Sequence, residues 1–171
     1  KMLKVSAKWV IKFLHRDIYN QISETLTLSR EQREEYIENF IKPINFAIEN
    51  DAYLKEKKFK YKITGRAKHI YSIYNKTIIR NKPIEELYDL QAIRIILDTK
   101  EIDLCYRIYE KLIELYRSVP DTFKDYIKEP KPNGYQSLHT IVSGPASMNI
   151  EVQLRSFAMH KIADSGVAAH W

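Results

Sequence analysis

Apolar positions recur at helical spacing in the first third of the chain and at strand spacing after it. Trp9, Val10, Phe13, Leu14 and Ile18 fall three and four residues apart, which predicts a helix over 4–26. Ser29, with Gln32 three residues on, forms a capping-box pattern. The helix it starts carries Tyr36, Ile37, Phe40, Ile41, Ile44 and Ile48 on one side. Pro43 lies inside that pattern and lacks an amide hydrogen, so it is expected to kink the helix or split it in two. From Phe59 the pattern changes. Lys60-Tyr61-Lys62-Ile63-Thr64 alternates as a strand does, and Gly65 is expected to close it. Residues 67–80 read as a helix that Asn81-Lys82-Pro83 ends. Tyr88 to Leu97 reads as a buried strand rich in isoleucine, and 101–116 as an amphipathic helix with Ile102, Tyr106, Tyr109 and Leu112-Ile113 inward. A loop with Pro120, Pro130, Pro132 and Gly134 leads to strands near 135–142 and 149–155, joined through Gly144-Pro145, and a last helix is expected from about 156 to residue 171.

Strands alternating with helices indicate an α+β or α/β sheet domain. We expect it over 56–171, with 1–55 as a helical extension packed on it. The length of 171 residues suits one domain of this kind, and 44% hydrophobic with 29% charged residues is a globular composition. No stretch approaches eighteen uncharged apolar residues, so no membrane span is expected. Lys1-Met2-Leu3-Lys4 lacks the apolar region of a signal peptide. Cys105 stands alone, which excludes a disulfide framework or a cysteine zinc site and fits a reducing cytoplasm; its simplest role is a small residue in a packed helix face. The formal charge of +6 favours anionic partners without choosing among them. The twelve tyrosines can stack on bases or cover core edges with their hydroxyls in water.

Four groups of residues could carry chemistry. Lys68, Ser72 and Lys76 are spaced four apart and share one helical face, with Arg66 at the strand-to-helix junction beside the amides of the helix N-terminus. That suits phosphate, although a solvated basic face has the same spacing. Asp89 stands where a strand is expected to begin, with Arg94 five residues on, and a strand-end carboxylate is a usual magnesium ligand or an ordinary surface charge. Ile150 to Arg155 alternates strictly, so Glu151, Gln153 and Arg155 line one strand face. Glu151 could bind metal, accept a hydroxyl proton, or do both; a half-exposed strand of no special role has the same pattern. In Lys131-Pro132-Asn133-Gly134-Tyr135-Gln136-Ser137-Leu138-His139 the first residues build a turn, and Tyr135, Ser137 and His139 are expected on one face, where a ring beside Asn and His can hold a base. The chain has no Walker-type glycine loop, no Gly-x-Gly-x-x-Gly and no His-Asp dipeptide, and its five histidines lack metal spacing. Side-chain cations and a metal would therefore have to hold any nucleotide phosphates.

These segments together resemble the synthetase domain of the long RelA/SpoT homologues. The resemblance rests on Gly65 to Lys76, Tyr88 to Ile95, Pro130 to Thr140, Ile150 to Arg155 and His160 to Trp171, in the family's order over about 59–171, and is most specific around Tyr135 and in Gly166-Val167-Ala168-Ala169-His170-Trp171. It implies a nucleotidyltransferase-like mixed sheet flanked by helices. It implies transfer of the β,γ-pyrophosphate of ATP to the 3′-hydroxyl of GDP or GTP, giving guanosine tetra- or pentaphosphate and AMP. Arg66 and Arg94 would sandwich the adenine, and Lys68, Ser72 and Lys76 would hold the ATP phosphates. Asp89 and Glu151 would place Mg2+, with Glu151 also the base for the 3′-hydroxyl. Tyr135 would stack on guanine, and Lys124, Lys131, Asn133, His139 and Gln153 would line the acceptor side.

The sequence departs from the family at Thr122-Phe123-Lys124-Asp125, a segment that usually starts with Arg in bifunctional members and is linked there to acceptor choice. Long members also carry a hydrolase domain with a His-Asp metal site, and regulatory domains that contact ribosome or tRNA. Both are expected outside this chain, and no alarmone hydrolysis is expected from it. Two other readings stay open on the residues alone: a nucleotidyltransferase acting on a nucleic-acid 3′ end, and a basic guanine-nucleotide or RNA-binding module without turnover.

Overall fold

In a computed structural model, residues 29–67 and 91–165 are described, together with the single positions 16, 17, 20 and 73. Nearly all of the expected helices over 4–26 and 67–80, and the closing segment 166–171, lie outside them; Arg16, Asp17 and Asn20 are helical, and Ile73 is helical and buried.

Helix α1 spans Arg30–Asn50. The capping box forms as expected: the Gln32 amide donates to Ser29 Oγ at 3.1 Å, and Ser29 N donates to Gln32 Oε1 at 2.8 Å. The chain does not split at Pro43. The helix runs through it unbroken, because Pro43 and Asn39 are both on the exposed side, where water can serve the Asn39 carbonyl that proline leaves unbonded. Asp51 caps the short α2 (Ala52–Lys57), its Oδ1 accepting from Leu54 N at 3.0 Å. It also takes Arg107 Nη2 at 2.9 Å and Lys111 Nζ at 3.5 Å, which ties the α1–α2 corner to α3 (Asp103–Leu115).

Among the described residues the sheet has six strands: β1 (Lys60–Ala67), β2 (Gln91–Asp98), β3 (Arg117–Ser118), β4 (Lys124–Asp125), β5 (Leu138–Ser143) and β6 (Asn149–Ser156). Their order is β1-β2-β6-β5-β3, with β4 also paired to β5. Of these strands β2 and β6 pair in parallel, and the other described pairs are antiparallel. Alternation places Ile93, Ile95 and Leu97 of β2 and Ile150, Val152 and Leu154 of β6 on one face. There they share a core with Ile37, Phe40, Ile44 and Ile48 of α1 and Leu104, Ile108 and Leu112 of α3. Helix α4 (Phe157–Asp164) follows β6, its N-cap Ser156 accepting from Met159 N.

Two expectations change. Strand β1 continues to Ala67 rather than closing at Gly65. Gly65 is inside the strand because α1 lies directly on its backbone: an added Cβ would collide with Ile37 Cγ2, far inside the 3.4 Å at which ordinary contact begins. The buried stripe of α3 is Leu104, Cys105, Ile108 and Leu112, while Ile102 and Ile113 are exposed. Ile102 precedes the first helical turn, and its register led to a face rotated from the one that meets the sheet.

Candidate active site

The face of the sheet opposite the α1–α3 core gathers the polar residues. Cross-strand register puts Thr64, Arg94, Gln153, His139 and Lys124 in one row, from β1 through β2, β6 and β5 to β4. The next row contains Arg66, Ala92, Glu151 and Ile141. Five of the residues expected in the site, Arg94, Glu151, Gln153, His139 and Lys124, thus come from four strands onto one surface. Arg66 stands near the end of β1 as expected; only its backbone is described. Lys68, Ser72, Lys76 and Asp89 lie outside the described residues.

The carboxylate at the centre is braced. Gln153 Nε2 donates to Glu151 Oε1 at 3.1 Å, and Arg155 Nη2 donates to Gln153 Oε1 at 3.0 Å. His139 Nδ1 is 3.5 Å from the same Glu151 oxygen, and His139 Nε2 is 2.7 Å from the Tyr135 hydroxyl. Burial raises the Tyr135 phenol above its ordinary value, against the nearby Arg155 and Arg94 charges, so it stays protonated and can donate to the imidazole. The Glu151 and His139 side chains remain 19% and 18% exposed, so a ligand can reach both.

The turn before β5 is built by its own side chains. Asn133 Oδ1 accepts from Tyr135 N at 3.2 Å, Gly134 takes a positive φ of 77°, and Lys131 N donates to Tyr135 O at 3.1 Å. Asn133 therefore shapes the turn. Lys131 Nζ stands 4.6 Å from the Tyr126 ring centroid and 5.2 Å from that of Tyr135. Ser137 is buried at the edge of the site: its hydroxyl donates to the Leu154 carbonyl at 3.1 Å and also lies against the Tyr135 phenol. Tyr135 and His139 still meet, ring centroids 5.6 Å apart, because Tyr135 lies in the turn and reaches back to the strand.

Three residues near the site went unassigned by the sequence reasoning. Tyr126 packs edge-on against His139 at 5.3 Å and Tyr135 at 6.1 Å; its place two residues after Lys124 was the available signal. Asp125 anchors β4, accepting from Tyr106 Oη at 2.9 Å and from the amides of Ile127 at 3.0 Å and Lys128 at 2.9 Å. His160 on α4 is kept toward neutrality by burial, which Asp164 opposes and the Arg155 and Arg94 charges reinforce. Thr122, the departure noted above, is a loop tie: its hydroxyl donates to Val119 O at 2.7 Å and accepts from Ile141 N at 3.1 Å.

The mixed sheet flanked by helices matches the fold of solved small alarmone synthetases. The structure is similar to the small alarmone synthetase 2 of Bacillus subtilis, with a TM-score of 0.58 and 28% identity over 78% of this chain and 77% of that one. It is also similar to small alarmone synthetase 1 of the same organism, solved with its product pppGpp, with a TM-score of 0.53 and 26% identity over 75% and 78% of the two chains. Residues 65–171 match the model for the region found in RelA/SpoT proteins, and the chain belongs to that family. Among curated relatives, the GTP pyrophosphokinase of Escherichia coli strain K12 is 40% identical over 163 residues, 95% of this chain and 21% of that protein. A probable guanosine-3′,5′-bis(diphosphate) 3′-pyrophosphohydrolase of Synechocystis is 38% identical over 160 residues, 94% of this chain and 20% of that one. The chain thus spans about a fifth of the length of these relatives.

Proposed function

We propose that this chain transfers the β,γ-pyrophosphate of ATP to the 3′-hydroxyl of GDP or GTP, forming (p)ppGpp and AMP in the stringent response. The observation that supports this most is the convergence of Arg94, Gln153, His139 and Lys124 in one cross-strand row beside Glu151. Two polyanionic nucleotides must meet with reacting atoms in line, so positioning and charge compensation supply most of the rate. Arg94, Lys124 and Lys131 contribute cations on this face, and Arg66, Lys68, Ser72 and Lys76 would complete the ATP side. Tyr135, backed by Tyr126 and His139, offers a ring for guanine. Glu151 would take the 3′-hydroxyl proton, and the contacts of Gln153 and His139 with its carboxylate support that role.

Glu151 is a hard-oxygen ligand of the kind Mg2+ takes. Glu151 would share the ion with Asp89 and substrate phosphates, since Mg2+ takes few protein oxygens. Such an ion would offset phosphate charge during transfer. Among the described residues no helix is long and apolar enough to cross a membrane. We place the protein in the cytoplasm, where ATP and guanine nucleotides are available. We read 56–171 as the synthetase domain and 1–55 as its helical extension, and assign hydrolase activity and any ribosome or tRNA contact to regions outside this chain.

The test is incubation with γ-labelled ATP, Mg2+ and either GDP or GTP, with products resolved. Label entering guanosine tetra- or pentaphosphate, with AMP released, is expected. Failure to bind either nucleotide overturns the reading, as does pyrophosphate release with extension of an oligonucleotide. Glu151→Gln or Asp89→Asn should keep the fold and abolish synthesis; turnover like the wild type's would refute those roles.

A further inference from the structure

Arg155 ends the polar row of β6 and has no part in the mechanism above. It is 2% exposed, among the largest fully buried side chains described, and makes no ion pair with a carboxylate among the described residues. Its Nε and Nη1 are buried without a hydrogen-bond partner. Asp164 acts on it by charge without forming an ion pair, so the buried guanidinium is poorly compensated, and arginine does not escape by deprotonating at neutral pH. Its retained contacts therefore matter. One is Nη2 to Gln153 Oε1 at 3.0 Å; the other places the guanidinium carbon 5.2 Å from the Tyr135 ring centroid.

The two contacts close a ring of five side chains: Arg155 to Gln153, Gln153 to Glu151, Glu151 to His139, His139 to Tyr135, and Tyr135 back to Arg155. Arginine can only donate, so it fixes the direction of the Gln153 carboxamide. With Oε1 toward Arg155, Nε2–H must point at Glu151; a reversed amide would set its oxygen against a carboxylate and its NH2 against a guanidinium. Every other member of the ring is a group to which a role is already assigned.

We propose that Arg155 is a positioning residue for both halves of the site. Through Gln153 it sets the donor that orients Glu151, and through its stack on Tyr135 it sets the ring offered to the base. The kinetic side of this rests on the synthetase reading; the geometric side does not.

The test uses Arg155→Met, which fills similar space without a donor, Arg155→Lys, and Gln153→Leu. First, the Gln153 side-chain NH2 pair is followed by 15N-correlated NMR, identified by its disappearance in Gln153→Leu. A donor held against Glu151 gives two separated, exchange-protected signals. Arg155→Met should bring them to the values of a free carboxamide while backbone signals away from the sheet face stay put. Second, Arg155→Met should lower kcat on the order of 100-fold, since misplacement of about 1 Å costs that much. It should raise KM for the guanine nucleotide and leave KM for ATP unchanged, with Arg155→Lys recovering part of kcat. Combined with Gln153→Leu, the kcat effects should not multiply. An unchanged Gln153 NH2 pair in Arg155→Met overturns the proposal, as does an equal rise in both KM values or multiplying kcat effects. If the Arg155 variants do not fold, Gln153→Leu decides: a lowered kcat with unchanged KM values supports the relay, and a wild-type kcat sinks it. If the wild type transfers nothing, the synthetase reading fails and the NMR result alone judges Arg155.

Discussion

Replacing Gly65 by alanine should destabilise the protein in the wild type and stabilise it when Ile37 is also alanine. Gly65 is inside β1, and its φ is not in the left-handed region, so backbone strain plays no part. On its own terms a strand glycine costs about 0.5–1 kcal/mol relative to alanine, and the substitution should gain that amount. The added Cβ, however, would collide with Ile37 Cγ2 on α1, while Ile41 Cδ1 stays at an ordinary 3.6 Å. Overpacking of this sort costs about 1–3 kcal/mol. The net expectation is a loss of about 1–2 kcal/mol. Ile37→Ala removes the colliding methyl and itself costs about 2–5 kcal/mol through the cavity it leaves. In that background the new methyl enters empty space, and Gly65→Ala should gain about 0.5–1 kcal/mol. Urea unfolding followed by far-ultraviolet circular dichroism on the four proteins measures this cycle. A cost of the same sign and size in both backgrounds would show that α1 does not rest on the β1 backbone.

Further outcomes follow from other contacts. Burial raises the Asp51 carboxyl, but the Leu54 amide, Arg107 and Lys111 outweigh it and leave the pKa below its ordinary value. The stability this adds is present above the ordinary carboxylate range and is lost as pH falls through the lowered value. Asp51→Ala should therefore cost about 1 kcal/mol or more at pH 7 as a lost cap, and the gap to wild type should narrow in acid; a gap independent of pH would refute this. Burial pushes the Cys105 thiol up to about 12, so alkylating reagents at pH 8 should label it only on unfolding; rapid labelling of native protein would contradict its placement. Tyr135→Phe keeps the ring against Arg155 and leaves His139 Nε2 without its 2.7 Å partner, so kcat should fall more than GDP affinity. Tyr135→Leu should weaken GDP binding by about 1–3 kcal/mol in calorimetry, and equal losses in the two variants would argue against stacking.

The parts of the site on single strands could be read along the chain. The alternation of Ile150 to Arg155 is a local pattern, and the pleat turns it directly into a polar row. What that pattern does not contain is the neighbour across the ladder. His139 opposite Gln153, and Gln153 opposite Arg94, depend on which strands pair and in what register, and β2 is far from β6 in the chain. Strand β4 is two residues long and hidden in a proline-bounded loop, so Lys124 had a role by resemblance and no predicted element to stand on. The errors are physical in kind. Ile102 and Ile113 fit a helical period but the wrong phase; Gly65 was taken for a stop because glycine usually marks one, whereas here it admits a helix. Arg155 looked like a third member of an exposed row, and only the packing around it shows a charge withdrawn from water.

The position of β6 has a bearing on how the molecule comes together. It lies between β2 and β5, yet it is the last of the described strands in sequence order. Until it is made, β2 and β5 each present an unpaired edge facing a gap, the kind of surface that invites wrong partners. Inserting β6 joins one parallel and one antiparallel ladder in a single event and brings Glu151, Gln153 and Arg155 with it. Intermediates that lack this strand therefore have neither a continuous sheet nor the central carboxylate. Turnover should appear only with closure of the whole sheet, and a nascent chain still waiting for β6 should be inert toward nucleotides and most in need of protection from aggregation.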